Sequence, residues 1–492
     1  MLRVMRLIFA IYHGSSYYEY NCYDVDWRNN KMEKNETDRS CREMDGRKQK
    51  VTEDRREFRQ ELLQIAVSVA LQCLMQSSFS VVDQIMTGQL GSVSIAGIGL
   101  GGKFASIYAV AIAAVAAVAG IMIAQCIGKK DYREAGRSLY TNLAASLLLA
   151  LVFTLLSMMM PYQILGLYTD DEAAVQGGVA YLRIYALSFL PVAVTSVFSA
   201  YLRCVCAAKV SLYAGIVASV ANTVLNYMLI FGKAGFPAMG VQGAAWASVI
   251  AQLSGCVLTV IFFWHKYRKN EWRIPFEIAL DKVHMKQYLV ILLPLLACEL
   301  FWSLGENVYA SIYGHVGTKA FAAMTLTNPL QALVMGALSG VSQAAGVMIG
   351  KRLGADDRES AYQDSKRLMY TGLVCSILLS VLVIVFERYY VRIFHVEDDV
   401  RLMTRYILAV YALVAPAKVL NMILGGILRS GGKTTFVLVI DMIGTWIFGV
   451  PLGLSAAFVF HLPIAAVYFV LSMEECVRVM ISLIIFRKKK WM

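Results

Sequence analysis

Residues 119–131 read AGIMIAQCIGKKD, and residues 345–357 read AGVMIGKRLGADD. Six of the thirteen pairs are identical, both glycines and the closing aspartate among them, and the offset is 226 residues. The same offset lays 88-GQLGSVSIAGIGL-100 on 314-GHVGTKAFAAMTL-326 without a gap. With a shift of one residue allowed, the pairing continues at Pro191 with Pro416 and at 202-LR-203 with 428-LR-429. The chain is therefore an internal duplication, and each half is expected to bury its apolar surface in the same way.

Composition says what that surface is buried in. Of the 492 residues, 58% are hydrophobic and 16% charged, against roughly 45 to 50% and 25% in a typical soluble domain. Runs of about 20 apolar residues, the length that crosses a bilayer, recur twelve times, near 62–84, 93–127, 139–160, 178–200, 210–231, 242–264, 288–313, 320–349, 368–387, 402–428, 434–457 and 462–486. Hydrocarbon offers the backbone no hydrogen bonds, so each run is read as a helix. A barrel would instead show short alternating strands. The expected fold is an all-α integral membrane protein with twelve transmembrane helices in two six-helix lobes. Six is even, so both lobes enter from the same side and relate by a pseudo-two-fold axis along the membrane normal. The expected divisions are a polar, disordered cytoplasmic extension at 1–57, a first lobe at 58–265, a cytoplasmic linker at 266–286, a second lobe at 287–486 and a basic tail at 487–492.

A net charge of +12 could suggest nucleic acid, but Lys and Arg gather in alternate connections: Lys129, Lys130, Arg133 and Arg137; Arg203 and Lys209; Lys266, Arg268, Lys269 and Arg273; Lys351, Arg352 and Arg358; Arg429 and Lys433; and 487-RKKK-490. The connections between them are poor in basic residues or carry acid, as at Asp170, Asp171 and Glu172. The positive-inside rule makes the basic connections and both termini cytoplasmic, in a plasma membrane, with lipid and not nucleic acid as the surrounding partner. The ten cysteines lie mostly inside spans without a CxxC pair, which reads as packing in a reducing setting and gives no metal site. No P-loop, HExxH or GxSxG occurs in a plausible context, so neither an enzyme nor an ATP-driven pump is expected.

Polar residues at membrane depth then carry the functional reading, because a charge there costs about 2.5 to 3.5 kcal/mol on insertion scales. Asp83 lies about one turn before the glycine turn that closes the first span. An acid open to water from one side there suits a proton carrier. Asn222 and Asn226, spaced i, i+4, put two amides on one face of the fifth span. Lys103 falls about 15 Å into the second span and is a candidate modulator that pairs with Asp83 in one state. On the seventh span Glu299, Trp302 and Glu306 share a face, two acids flanking a ring that suits an organic cation. Lys418, Asp441, Glu474, Glu475 and Arg478 read as a structural ion-pair network. At the 226 offset Asp83 meets Tyr309. The duplication kept the glycines and not the acid, which puts cation coupling in the first lobe and substrate contact in the second.

Four stretches give the repeat a family. The pattern D-x-I-M-x-G-x-L-G at 83–91, GKKD at 128–131, 222-NTVLNYMLIFG-232 and 427-ILRSGGKTTFVLVIDMIGTWIFGVPL-452 resemble the multidrug and toxic compound extrusion (MATE) transporters, over residues from about 58 to 490. The resemblance implies a monomeric exporter of amphipathic, often cationic small molecules, working by alternating access and driven by H⁺ or Na⁺ with no other cofactor. It implies a cation-coupling role for Asp83 with Asn222 and Asn226 as neutral partners. Asn in place of Asp at 226 makes a tight Na⁺ site there less expected, and Trp302 stands where another branch has a Na⁺-binding Glu. A lipid-linked oligosaccharide flippase of the same superfamily is the alternative.

Overall fold

The computed structural model describes residues 33–492 apart from 170, 234, 269–274, 276, 278–281, 393, 395 and 490. All regular structure among them is helical. The first lobe comprises α1 (Glu33–Gly88), α2 (Ser92–Gly128), α3 (Tyr132–Met159), α4 (Glu172–Cys204), α5 (Ala208–Phe231) and α6 (Gly240–Arg268). The second comprises α7 (Lys282–Val316), α8 (Thr318–Gly354), α9 (Arg358–Arg392), α10 (Asp398–Ser430), α11 (Thr434–Val459) and α12 (Ile464–Arg487). Eleven of the twelve are long and apolar enough to span a membrane. The exception is α12, whose 24 residues carry Glu474, Glu475 and Arg478 at mid-length, charges that offset one another inside the lobe.

Two sequence expectations change. Helix α1 begins at Glu33, inside the stretch expected to be disordered, because residues 33–57 are rich in Glu, Lys and Arg and hold no proline, a composition that extends a helix. Residues 1–32 lie outside the described residues. The sequence also reads Gly88 and Gly91, and their partners Gly314 and Gly317, as bounding outer turns where positive φ favours glycine, and two of the four do so. Gly91 and Gly317 open α2 and α8 with φ of 88° and 150°, which a side chain would resist, whereas Gly88 and Gly314 keep helical backbone.

Large apolar side chains face outward along α3 (Leu148, Leu151, Val152, Leu155) and α9 (Leu378, Val381, Leu382, Val385, Phe386), a surface that only lipid covers at low cost. The lobes meet at the end that carries the basic connections. There α2 and α8 cross so closely that a Cβ on Gly128 would collide with the Lys351 carbonyl, and one on Gly354 with the Gln125 carbonyl. Residues 128 and 354, and 125 and 351, are repeat partners at the 226 offset, so the crossing sits on the pseudo-two-fold axis. Around it, Gln125 Nε2 donates to the Ser430 carbonyl (2.7 Å), and Lys351 Nζ reaches across to Glu61 (2.6 Å) and Cys206 Sγ (3.3 Å). Farther along, Gly340 abuts the Ala66 backbone and Cys73 meets Ser339 at 3.4 Å. Glu277 of the linker accepts from Arg133 and Arg137 at 3.1 and 2.8 Å, and these bonds hold its carboxyl below the ordinary range.

Among the described residues, the hydrogen bonds and ion pairs that join the lobes all lie in this half. Beyond Cys73, α1 continues for 15 residues to Gly88 without such a bond to the second lobe. Among the described residues, the polar ties between the lobes are thus confined to the basic half of the molecule.

Candidate functional site

Each lobe carries a polar cluster among apolar helices. In the first, Asp83 of α1 accepts a short hydrogen bond from Asn226 Nδ2 of α5. The same Nδ2 group donates to Asn222 Oδ1 at 3.2 Å, the i, i+4 spacing placing both amides on one face as expected. Asn222 Nδ2 donates in turn to Ser248 Oγ of α6 at 3.4 Å. Tyr181 and Tyr185 of α4, stacked 5.2 Å apart, lie close enough to feel the charge of Asp83. Asn226 is fully buried, and its Oδ1 has no hydrogen-bond partner among the described residues. Buried carbonyl oxygens are normally satisfied, so this cluster has an acceptor to spare.

Lys103 takes no part in it. Its side chain is exposed and forms no ion pair with Asp83 among the described residues. The acid's partner here is the Asn226 amide, because α5, and not the region of α2 around Lys103, packs beside it.

The second lobe holds a cavity of about 190 Å³ whose walls include Trp302, Glu306, Tyr309, Lys418, Tyr468 and Glu475. Trp302 and Phe321 on its rim are 49% and 44% exposed. They belong to α7 and α8, the helices that touch the first lobe nearer the basic end. Below it, Arg478 is buried against three carboxylates: Glu474 at 3.1 Å, and Glu475 and Asp441 each at 3.8 Å. Every one of these acids has a neutral donor as well. Tyr309 donates a short bond to Glu474, Asn421 reaches Glu475 at 2.9 Å, and Cys298 Sγ donates to Asp441 at 2.8 Å. Helix α11 admits this cluster by running π-helical over Ile443–Gly449, a local widening that recurs at functional sites. A Cβ on Gly449 would strike both the Tyr309 hydroxyl and the Glu474 carboxylate.

The three residues expected to share a face on α7 divide. Trp302 and Glu306 line the cavity, but Glu299 does not; it lies nearer the basic end, facing Arg429 at 3.8 Å. Seven residues span two turns of helix, and by Glu299 the facing element has become the end of α10. The expected ion-pair network exists around Arg478, without Lys418, which has no carboxylate within 4.0 Å among the described residues. Sequence reading missed Ser248, Tyr181, Tyr185, Asn421 and Gln331, whose Oε1 accepts from Tyr468 in the cavity wall at 3.1 Å. At the 226 offset, however, Ser248 corresponds to Glu474 just as Asp83 corresponds to Tyr309. The second lobe therefore does have an acid at the matching place, supplied by its last helix where the first lobe uses its first.

Two duplicated six-helix lobes, tied together in one half and each built around buried polar groups, define a two-lobed membrane transporter. A family model described as MatE matches twice, over residues 68–228 and 294–455, the starts falling one repeat apart. The chain belongs to the MATE family of multidrug and toxic compound extrusion transporters. It is 23% identical over 442 residues to a probable multidrug resistance protein NorM of Thermotoga maritima, covering 88% of this chain and 93% of that one. A mutant of the Vibrio cholerae MATE transporter VcmN shares the fold with a TM-score of 0.81 at 18% identity, over 88% of this chain and 97% of that one. An outward-facing MATE family transporter of the MOP superfamily gives 0.79 at 16% identity, over 87% and 95%.

Proposed function

We propose that this chain is a secondary active exporter of amphipathic, cationic small molecules that works by alternating access, with H⁺ entering at Asp83 as the driving ion. Under the positive-inside rule the basic end, which holds the polar ties between the lobes, is the cytoplasmic one, and this supports reading the arrangement as outward-facing. The observation that carries the reading is the spare acceptor of Asn226 beside Asp83. A proton on the carboxyl turns Asp83 from an acceptor into a donor, and the amide oxygen next to it lacks one. Loading the proton would therefore relieve a buried unsatisfied group, worth about 1 to 3 kcal/mol, and supply the differential stability by which a ligand shifts a conformational equilibrium.

A single carboxylate with neutral amides favours H⁺ over Na⁺, since a hard cation prefers several anionic or carbonyl oxygens. Among the four charged residues that line the second-lobe cavity, Glu306, Glu474 and Glu475 outnumber Lys418. With Glu474 and Glu475 paired to Arg478, Glu306 is left to meet a cationic group, and a single lining cation, Lys418, is little to hold the pyrophosphate of a lipid-linked oligosaccharide.

The test is uptake of ethidium into inverted vesicles under a pH gradient and a Na⁺ gradient imposed separately. Transport under the pH gradient, lost in Asp83→Asn at unchanged expression, is the expected result. Transport that follows Na⁺ alone, or survives Asp83→Asn, overturns the assignment.

A further inference from the structure

Among the described residues, two charges that line the second-lobe cavity have no hydrogen-bonding or ion-pair partner. Glu306 of α7 is exposed and has no hydrogen bond or ion pair among the described residues. The other two lining acids are committed, Glu474 to Tyr309 and Arg478, and Glu475 to Asn421 and Arg478. Lys418 of α10 is half-buried in the wall. Its ammonium lies 5.6 Å from the ring centre of Tyr468 and has no hydrogen-bonding partner among the described residues. Glu306 and Glu475 are near enough to act on it electrostatically but not to pair with it.

An unpaired lysine is a costly residue to keep inside a membrane lobe, and a cavity meant only for cations is worse for containing it, because a bound cation is repelled at short range. An anion would meet the same objection from Glu306. A molecule with both charges meets neither. Resting on the efflux reading above, we propose that this cavity selects zwitterionic amphiphiles. Their cationic group sits at Glu306 among the Trp302 and Tyr309 rings, and their anionic group at Lys418. Rings beside a carboxylate hold an organic cation by cation–π contact. An ammonium within bonding reach of an anion adds a charge-assisted hydrogen bond. Asn328 and Ser472, also in the lining, offer further polar contacts.

The discriminating probes are rhodamine B, which carries a xanthylium cation and a free carboxylate, and its ethyl ester, which keeps the cation and loses the acid. Export of each is measured from proteoliposomes under one pH gradient, and the readout is the ratio of the two rates. The wild type should favour rhodamine B. The ratio should fall about tenfold in Lys418→Met, the scale of one charge-assisted hydrogen bond, and return in Lys418→Arg. Because the readout is a ratio, a general loss of folded protein cancels. An unchanged ratio in Lys418→Met, or a wild type that favours the ester, overturns the proposal while leaving export of cations standing. Export of neither dye by the wild type overturns the efflux reading itself.

Discussion

At the residue scale, Asp83 and Asn226 make the sharpest demands. Asp83→Asn keeps the shape and the hydrogen bond to Asn226 but removes the titrating group, so efflux under a pH gradient should drop at least about tenfold with normal membrane expression. Asn226→Asp puts a second carboxylate against Asp83 and supplies the oxygen ligands the wild type lacks; it should confer Na⁺-stimulated ethidium efflux, and a variant indifferent to Na⁺ would contradict the cluster's assigned role. Asp83 was legible because a lone acid near the end of an apolar run has few explanations, and the asparagine pair because i, i+4 spacing fixes a shared face. Ser248 and the two tyrosines were not legible: hydroxyls on apolar helices are common, and only packing tells which of them face an acid. Glu299 misled for the related reason that spacing fixes a face of a helix but not what lies opposite each turn.

At the scale of single helices, α11 and α12 hold the second lobe's charges together. Gly449 is the place where α11 makes room for Tyr309 and Glu474. Gly449→Val should force them apart, at about 1 to 3 kcal/mol for overpacking, and thermal unfolding in detergent should show a melting temperature lowered by several degrees. Arg478→Met should be worse, because it leaves three acids without their shared cation, and removing one partner of a buried pair costs about 3 to 5 kcal/mol; a melting temperature unchanged from wild type would contradict the network. The sequence signalled this cluster through mixed charges in the last spans. The π-helical stretch left no such mark, since it reflects how α11 accommodates side chains of α7 and α12. The extension of α1 back to Glu33 was missed for another reason: a polar, charge-rich segment can satisfy a disorder composition and a helix propensity at once.

At the scale of the whole molecule, the repeat explains why the lobes close on each other as they do. The gap-free offset of 226 residues makes Gly128 and Gly354 repeat partners, and the structure brings both to one crossing of α2 and α8. What sequence could not supply is which half of the molecule ties the lobes together, because both states of a rocking pair share one set of helices. The Lys351 to Glu61 pair is one of these ties; Lys351→Met should loosen it and speed labelling of Cys206 by a membrane-impermeant maleimide from the basic face several-fold. The central claim is that substrate leaves as H⁺ enters through Asp83, and its most direct measurement is substrate-evoked proton movement in proteoliposomes free of Na⁺. Ethidium added on the side from which it is exported should drive counter-movement of protons, seen with a pH-sensitive dye, in the wild type and not in Asp83→Asn. Equal proton movement in both proteins, or ethidium transport by the wild type with none, would contradict the account.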